Sequence, residues 1–175
     1  MVSNNFQLGK RSRQAVLTIH IVVAVAWIGV NLAFLALDVV ALTTADGRLV
    51  AACISAIVII IPPVVPALVV GMMISGVVLG LGTKWGLVRH WWVTSKLIIG
   101  TVLLVLVAVL LLPNALSMAT PDPNLSADQL RDQFDMSSLL MPPIVSSVAL
   151  VAATVLSVYK PAGLVRQPST RVAVS

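Results

Sequence analysis

The chain has 175 residues, of which 59% are hydrophobic and only 10% charged, whereas soluble domains run near 25% charged and 45–50% apolar. With a mean hydropathy of +1.06, this composition excludes an ordinary soluble domain, a disordered chain and a disulfide scaffold, and predicts an all-α integral membrane protein built as a four-transmembrane-helix bundle. The net charge of +5 would suggest nucleic acid in a soluble protein, but here the cations flank apolar runs, so no nucleic-acid partner is expected.

Residues 1–13 form a polar N-terminal segment ending in Lys10, Arg11 and Arg13. The first span is expected over about 14–43. It is too long for the apolar core of a cleaved signal peptide, and no small-residue cleavage site follows it. Thr44, Ala45, Asp46 and Gly47 make a polar break. The next apolar stretch, Leu49 to Leu81, is too long for one straight crossing. Pro62, Pro63 and Pro66 divide it into an outer helical segment at 50–61 and a main span at 62–82. Proline lacks a backbone donor and clashes with the preceding turn, so the second helix is expected to kink or restart there.

Gly80, Gly82, Lys84, Gly86 and Arg89 form a short basic connection, with Trp85, Trp91 and Trp92 suited to an interfacial aromatic belt. The third span runs over 91–112 and stops at Pro113. Residues 113–137 form the one sizeable polar loop, acidic through Asp122, Asp128, Asp132 and Asp135, with a short surface helix over 126–134 capped by Ser126. The fourth span covers 138–160, and a polar tail, 161–175, follows. Eight cations (Lys10, Arg11, Arg13, Lys84, Arg89, Lys160, Arg166, Arg171) fall in the termini and the 82–90 connection, against Arg48 and Arg131 in the other two loops. That asymmetry predicts both termini cytoplasmic in a multi-pass protein of the bacterial plasma membrane.

Ionisable groups inside a bilayer are costly and are functional candidates by default. In the first span, Trp27, Asn31 and Asp38 follow His20 by seven, eleven and eighteen residues, at about −20°, +20° and 0° around the helix. They share one stripe that should face the bundle interior, either as an interhelical hydrogen-bond seam or as a site. Lys96 lies seven residues past Arg89, as His20 lies seven past Arg13, so both should sit roughly 10 Å inside the same face. Lys96 can instead snorkel to the headgroups. Asp38 is expected as an interfacial charge or a partner for Arg48, and His90 as a headgroup contact. Met72 and Met73 are expected as core filler. Gly71, Gly76, Gly80, Ser146, Ser147, Ala149, Ala152 and Ala153 are expected as close-packing positions. The single cysteine, Cys53, excludes an internal disulfide and a CxxC metal site.

Two segments, His20-x6-Trp27-Ile28-Gly29 and Trp91-Trp92-x3-Lys96-Leu97, together resemble the superfamily of CopD-type copper-resistance proteins and HemJ-type protoporphyrinogen oxidases. The connection Gly80-Leu-Gly-Thr-Lys-Trp-Gly-Leu-Val-Arg-His-Trp-Trp92 and the ending Val158-Tyr159-Lys160-Pro161-x-Gly163 look most like an actinobacterial four-helix membrane family defined as a domain of unknown function. The HemJ likeness implies haem b as a cofactor, with His20 the axial ligand of the haem iron and Lys96 the second required residue. Trp27 and Asn31 share the stripe of His20 and join it as candidate cofactor-binding residues. The CopD likeness implies copper passage, against which stands the shortage of His, Met and Cys near the outer face.

Three functional readings follow. The first is a non-catalytic or accessory membrane component, with the lipid bilayer and a homo-oligomer or membrane-protein partner around it. The second is a b-type haem redox protein ligated by His20. The third is metal or proton passage through His20 and Lys96. No nucleophile–base pair, phosphate loop or carboxylate dyad points to a hydrolase or transferase, and the chain has no glutamate.

Overall fold

The computed structural model describes residues 8–82 and 91–159. Among these residues every regular element is helical: α1 (Lys10–Thr43), α2 (Gly47–Leu81), α3 (Trp91–Leu106), a π-helical turn (Val107–Leu111), α4 (Leu112–Ser117), α5 (Ala127–Gln133) and α6 (Met136–Tyr159). Four stretches are long and apolar enough to cross a membrane: α1, α2, the continuous run Trp91–Ser117 and α6. The expected Lys84, Trp85, Arg89 and His90 connection, the first seven residues and the tail from Lys160 lie outside the described residues.

At about 1.5 Å per residue, the 34 residues of α1 and 35 of α2 each exceed a hydrocarbon core of about 30 Å. Thr44–Asp46 joins them, and a link that short makes them antiparallel neighbours. Asp46 starts α2 by accepting the Arg48 N–H at 2.9 Å. At the other end the Leu8 N–H donates to the Gly82 carbonyl, tying the start of α1 to the end of α2.

Pro62, Pro63 and Pro66 stand inside one uninterrupted helix, so α2 does not restart at them. Apolar helices in lipid keep their remaining hydrogen bonds because no water competes for them. The third span likewise continues past Pro113 to Ser117. Pro113 has no N–H to return to the preceding turn, and the chain widens just ahead of it: the Leu112 N–H reaches back five residues to Val107.

The core runs along the α1–α2–α6 contact and is built from Trp27, Phe34, Ile54, Ile57, Val65 and Val69, with Leu103 and Val107 contributed from the third span. The outward faces of α1 (Val22, Val25, Leu32) and α6 (Val148, Val151, Val155) are exposed hydrocarbon, as a lipid-facing surface requires. Gly71 packs on Val23 and Gly76 on His20, so these two glycines serve close helix approach as expected, and Gly100 leaves room for the Met73 thioether.

One end of the bundle is covered by the segment after α4. Ser126 and Gln129 form a reciprocal capping box that starts α5, and Leu130 is fully buried. A Cβ on Gly47 would run into the Leu125 carbonyl oxygen, so the covering loop sits directly on the first residue of α2.

Candidate functional site

The stripe on α1 turns inward as its spacing predicts: Trp27, Asn31 and Asp38 are buried and His20 is half-buried, with Phe34 buried beside them, whereas Arg13, at the start of the helix, is exposed. Three serines on the neighbouring helices meet the nitrogen donors of the bundle. Ser75 on α2 gives its hydroxyl proton to the Gly71 carbonyl (2.6 Å) and lies 2.9 Å from His20 Nδ1. Ser146 on α6 gives its proton to the Pro142 carbonyl (2.8 Å) and accepts from Asn31 Nδ2 at 2.8 Å. Ser157 on α6 gives its proton to the Ala153 carbonyl (3.0 Å) and accepts from Lys96 Nζ at 2.9 Å.

This repeated arrangement has a simple cause. A serine in an apolar helix returns its proton to the carbonyl one turn back, because nothing else there will accept it. Its oxygen lone pairs then face a neighbouring helix and need a donor. The Ser75 proton is thus committed to its own helix, so the neutral His20 ring donates through Nδ1 and keeps the Nε2 lone pair. The sequence offered a signal for these partners, namely a hydroxyl isolated in a hydrophobic span, but the reading of Ser146 as a small packing residue overlooked its chemistry.

His20 and Lys96 lie near enough for their charges to interact. Lys96 turns inward to Ser157, and its ammonium lies 4.6 Å from the centre of the Trp92 ring, a cation–π distance. Trp92 is accordingly half-buried beside Lys96, while Trp91 remains exposed.

Trp27 and Asn31 belong to a different place. With Phe34 they floor a cavity of about 550 Å³ whose walls come from α2, α3 with its π turn, and α6. Its lining is hydrocarbon apart from Asn31, Ser146, Asn114, Ser138, the Trp27 indole and the Met141 thioether. The lining contains no histidine, cysteine or lysine, so a haem lodged there would find no imidazole, thiolate or amine, and the exposed Met141 thioether is the one soft donor on the lining. His20 itself could ligate through Nε2, but the cavity does not reach it. The sequence-predicted set therefore divides into a His20–Lys96 layer and a Trp27–Asn31 cavity. Among the described residues no group of three or more His, Cys, Asp or Glu could hold a metal ion.

Asp38 corrects the expectation that it partners Arg48. It is fully buried, neither carboxylate oxygen has a hydrogen-bond partner among the described residues, and Arg48 is exposed. Its neighbourhood includes Cys53, near enough for electrostatic interaction. No protein-family model matches this chain, and no match is found among the curated proteins or the solved structures.

Proposed function

We propose that this chain is a non-catalytic membrane component that acts by assembly and binding within the bilayer. Its termini lie on the cytoplasmic side of a bacterial plasma membrane, and α2 bends at its prolines. The observation that carries the reading is the use of the polar side chains: His20, Asn31 and Lys96 each meet a serine of another helix. Groups engaged in this way hold α1 to α2, α1 to α6 and α3 to α6, which is what a packing seam does in a medium with no hydrophobic drive between helices. The sidedness rests on charge. All six acids, Asp38, Asp46, Asp122, Asp128, Asp132 and Asp135, belong to the end that carries the covering loop, with Arg48 and Arg131 the cations there.

The test is a reduced-minus-oxidised visible spectrum of the detergent-purified protein and a proton-flux assay in proteoliposomes, each run beside His20→Ala and Ser75→Ala. The expected result is no haem band, no His20-dependent flux and a lower thermal midpoint in both variants. Their double mutant should show coupling of about 0.6 kcal/mol, the usual size for interhelical hydrogen bonds in lipid. A b-type haem band near one equivalent, or a flux, that disappears in His20→Ala would overturn the reading.

A further inference from the structure

We infer that the cavity between α1, α3 and α6 is a binding site for a lipophilic alcohol, a molecule with an apolar body and one hydroxyl that meets the Asn31 amide. The shape comes first. The floor residues Trp27, Asn31, Phe34 and Val65 are buried, whereas Leu106, Leu110, Met141 and Val145 on the lining are exposed. The mouth therefore opens sideways between the π-turn region and α6, toward the hydrocarbon of the membrane and not toward water. A ligand enters from solution in lipid. At about 550 Å³ the space lies in the range that holds a small organic ligand.

The chemistry follows from Ser146. Its single proton is committed to the Pro142 carbonyl, so it can only accept from Asn31. That fixes the amide orientation: Nδ2 faces Ser146, and Oδ1 faces away from it. Asn31 is 3% exposed and lines the cavity, and no donor among the described residues reaches its Oδ1. A carbonyl acceptor left bare in hydrocarbon is costly, so the occupant must bring an O–H or N–H. The second Nδ2 hydrogen also needs an acceptor. A hydroxyl answers both, donating to Oδ1 and accepting from the amide, whereas an alkane answers neither and a ketone only the second.

The probes are 1-tetradecanol, tetradecane and 2-tetradecanone at equal mole fraction in the same micelles, read as shifts in thermal midpoint. In the wild type the alcohol should raise the midpoint saturably, with a half-effect at about one-tenth the concentration the alkane needs, the ratio one buried hydrogen bond supports. The ketone should fall between them. Asn31→Leu should bring the three probes together. Leu110→Trp, placed at the exposed mouth where it does not disturb the core, should abolish the alcohol shift while leaving the unliganded midpoint near that of the wild type. Equal effects of alcohol and alkane on the wild type would overturn the proposal, as would an alcohol preference that survives Asn31→Leu. A dimer that Leu110→Trp dissociates, with no discrimination among probes, would assign the cavity to a second copy of the chain and overturn it as well.

Discussion

Arg131 donates its Nε–H to the carbonyl of Ala41, 90 positions earlier in the chain, at 3.0 Å, so a side chain of α5 holds the last turn of α1. The same guanidinium donates to the Thr44 carbonyl through Nη2 and to Asp128 through Nη1 at 3.0 Å. The final carbonyls of any helix lack intrahelical donors, and a cation at that end is favoured by the helix dipole. α5 is therefore a clamp on the carboxyl end of α1, positioned by its own capping box and by buried Leu130.

Removing the clamp should loosen the covering segment before the bundle. Arg131→Met keeps the apolar stem and deletes the donors, and should cost about 2 kcal/mol of stability, the scale for hydrogen bonds to a charged group. Arg131→Lys should recover only part of that, since an ammonium cannot span two carbonyls as a planar fork does. Thermal midpoints together with hydrogen exchange at Ala127–Gln133 would check this, and equal exchange in the wild type and Arg131→Met would refute the clamp.

Two glycine-to-alanine changes should move stability in opposite directions. Gly29 stands in the middle of α1 with nothing near an added Cβ, so Gly29→Ala should stabilise by about 0.5–1 kcal/mol through helix propensity alone. Gly47 lies against the Leu125 backbone, which cannot rotate out of the way, so Gly47→Ala must push the covering loop off α2 and should cost about 1–3 kcal/mol. Unfolding of the two variants in the same detergent compares them directly, and a stabilised Gly47→Ala would show that the loop is not seated as described.

A third prediction concerns the start of α6. Asp135 accepts from the Ser137 hydroxyl at 2.6 Å and from the Ser137 N–H at 3.0 Å. These bonds favour the ionised carboxylate, the hydroxyl most, and hold its pKa below the ordinary 3.8. A carboxyl whose folded-state pKa is depressed adds stability above its unfolded value and loses it as pH falls through the folded one. Wild type should thus be more stable than Asp135→Asn at pH 7, and the gap should close as pH drops below about 3.8. Midpoints of the two proteins measured from pH 7 down to about 2 would reveal a gap that ignores pH, and with it a cap that works without its charge.

The spans were legible because each is a run of apolar residues longer than a bilayer is thick, and the inward face of α1 was legible because helix geometry alone aligns His20, Trp27, Asn31 and Asp38. The residues that meet this face were not. Ser75 and Ser146 are separated from His20 and Asn31 by 55 and 115 positions, and periodicity within one helix carries no information about which residue of another lies opposite. The continuity of α2 through three prolines escaped for a related reason: the local penalty reads clearly in sequence, whereas the packing that outweighs it does not. Arg131 read as a lone loop cation because its acceptors are main-chain carbonyls, which every residue possesses and no side-chain pattern marks.

Asp38 sets the sharpest energetic test of the stripe. Its neighbours on α1, His20 and Asn31, each have a hydroxyl partner, yet both of its oxygens are buried without one among the described residues. A carboxyl in that position costs free energy whichever protonation state it adopts: ionised it lacks a counter-charge, and protonated it lacks an acceptor for its proton. A side chain of similar volume with no polar atoms should relieve the cost, so Asp38→Val is expected to raise stability by about 1–3 kcal/mol, the penalty of a buried unsatisfied polar group. Asp38→Asn keeps the polarity and should gain less. Thermal unfolding of both variants decides the matter. If Asp38→Val instead unfolds more easily than the wild type, the carboxyl has a partner that holds it in the membrane, and isolating the protein with that partner bound becomes the route to what the Asp38 end of the bundle does.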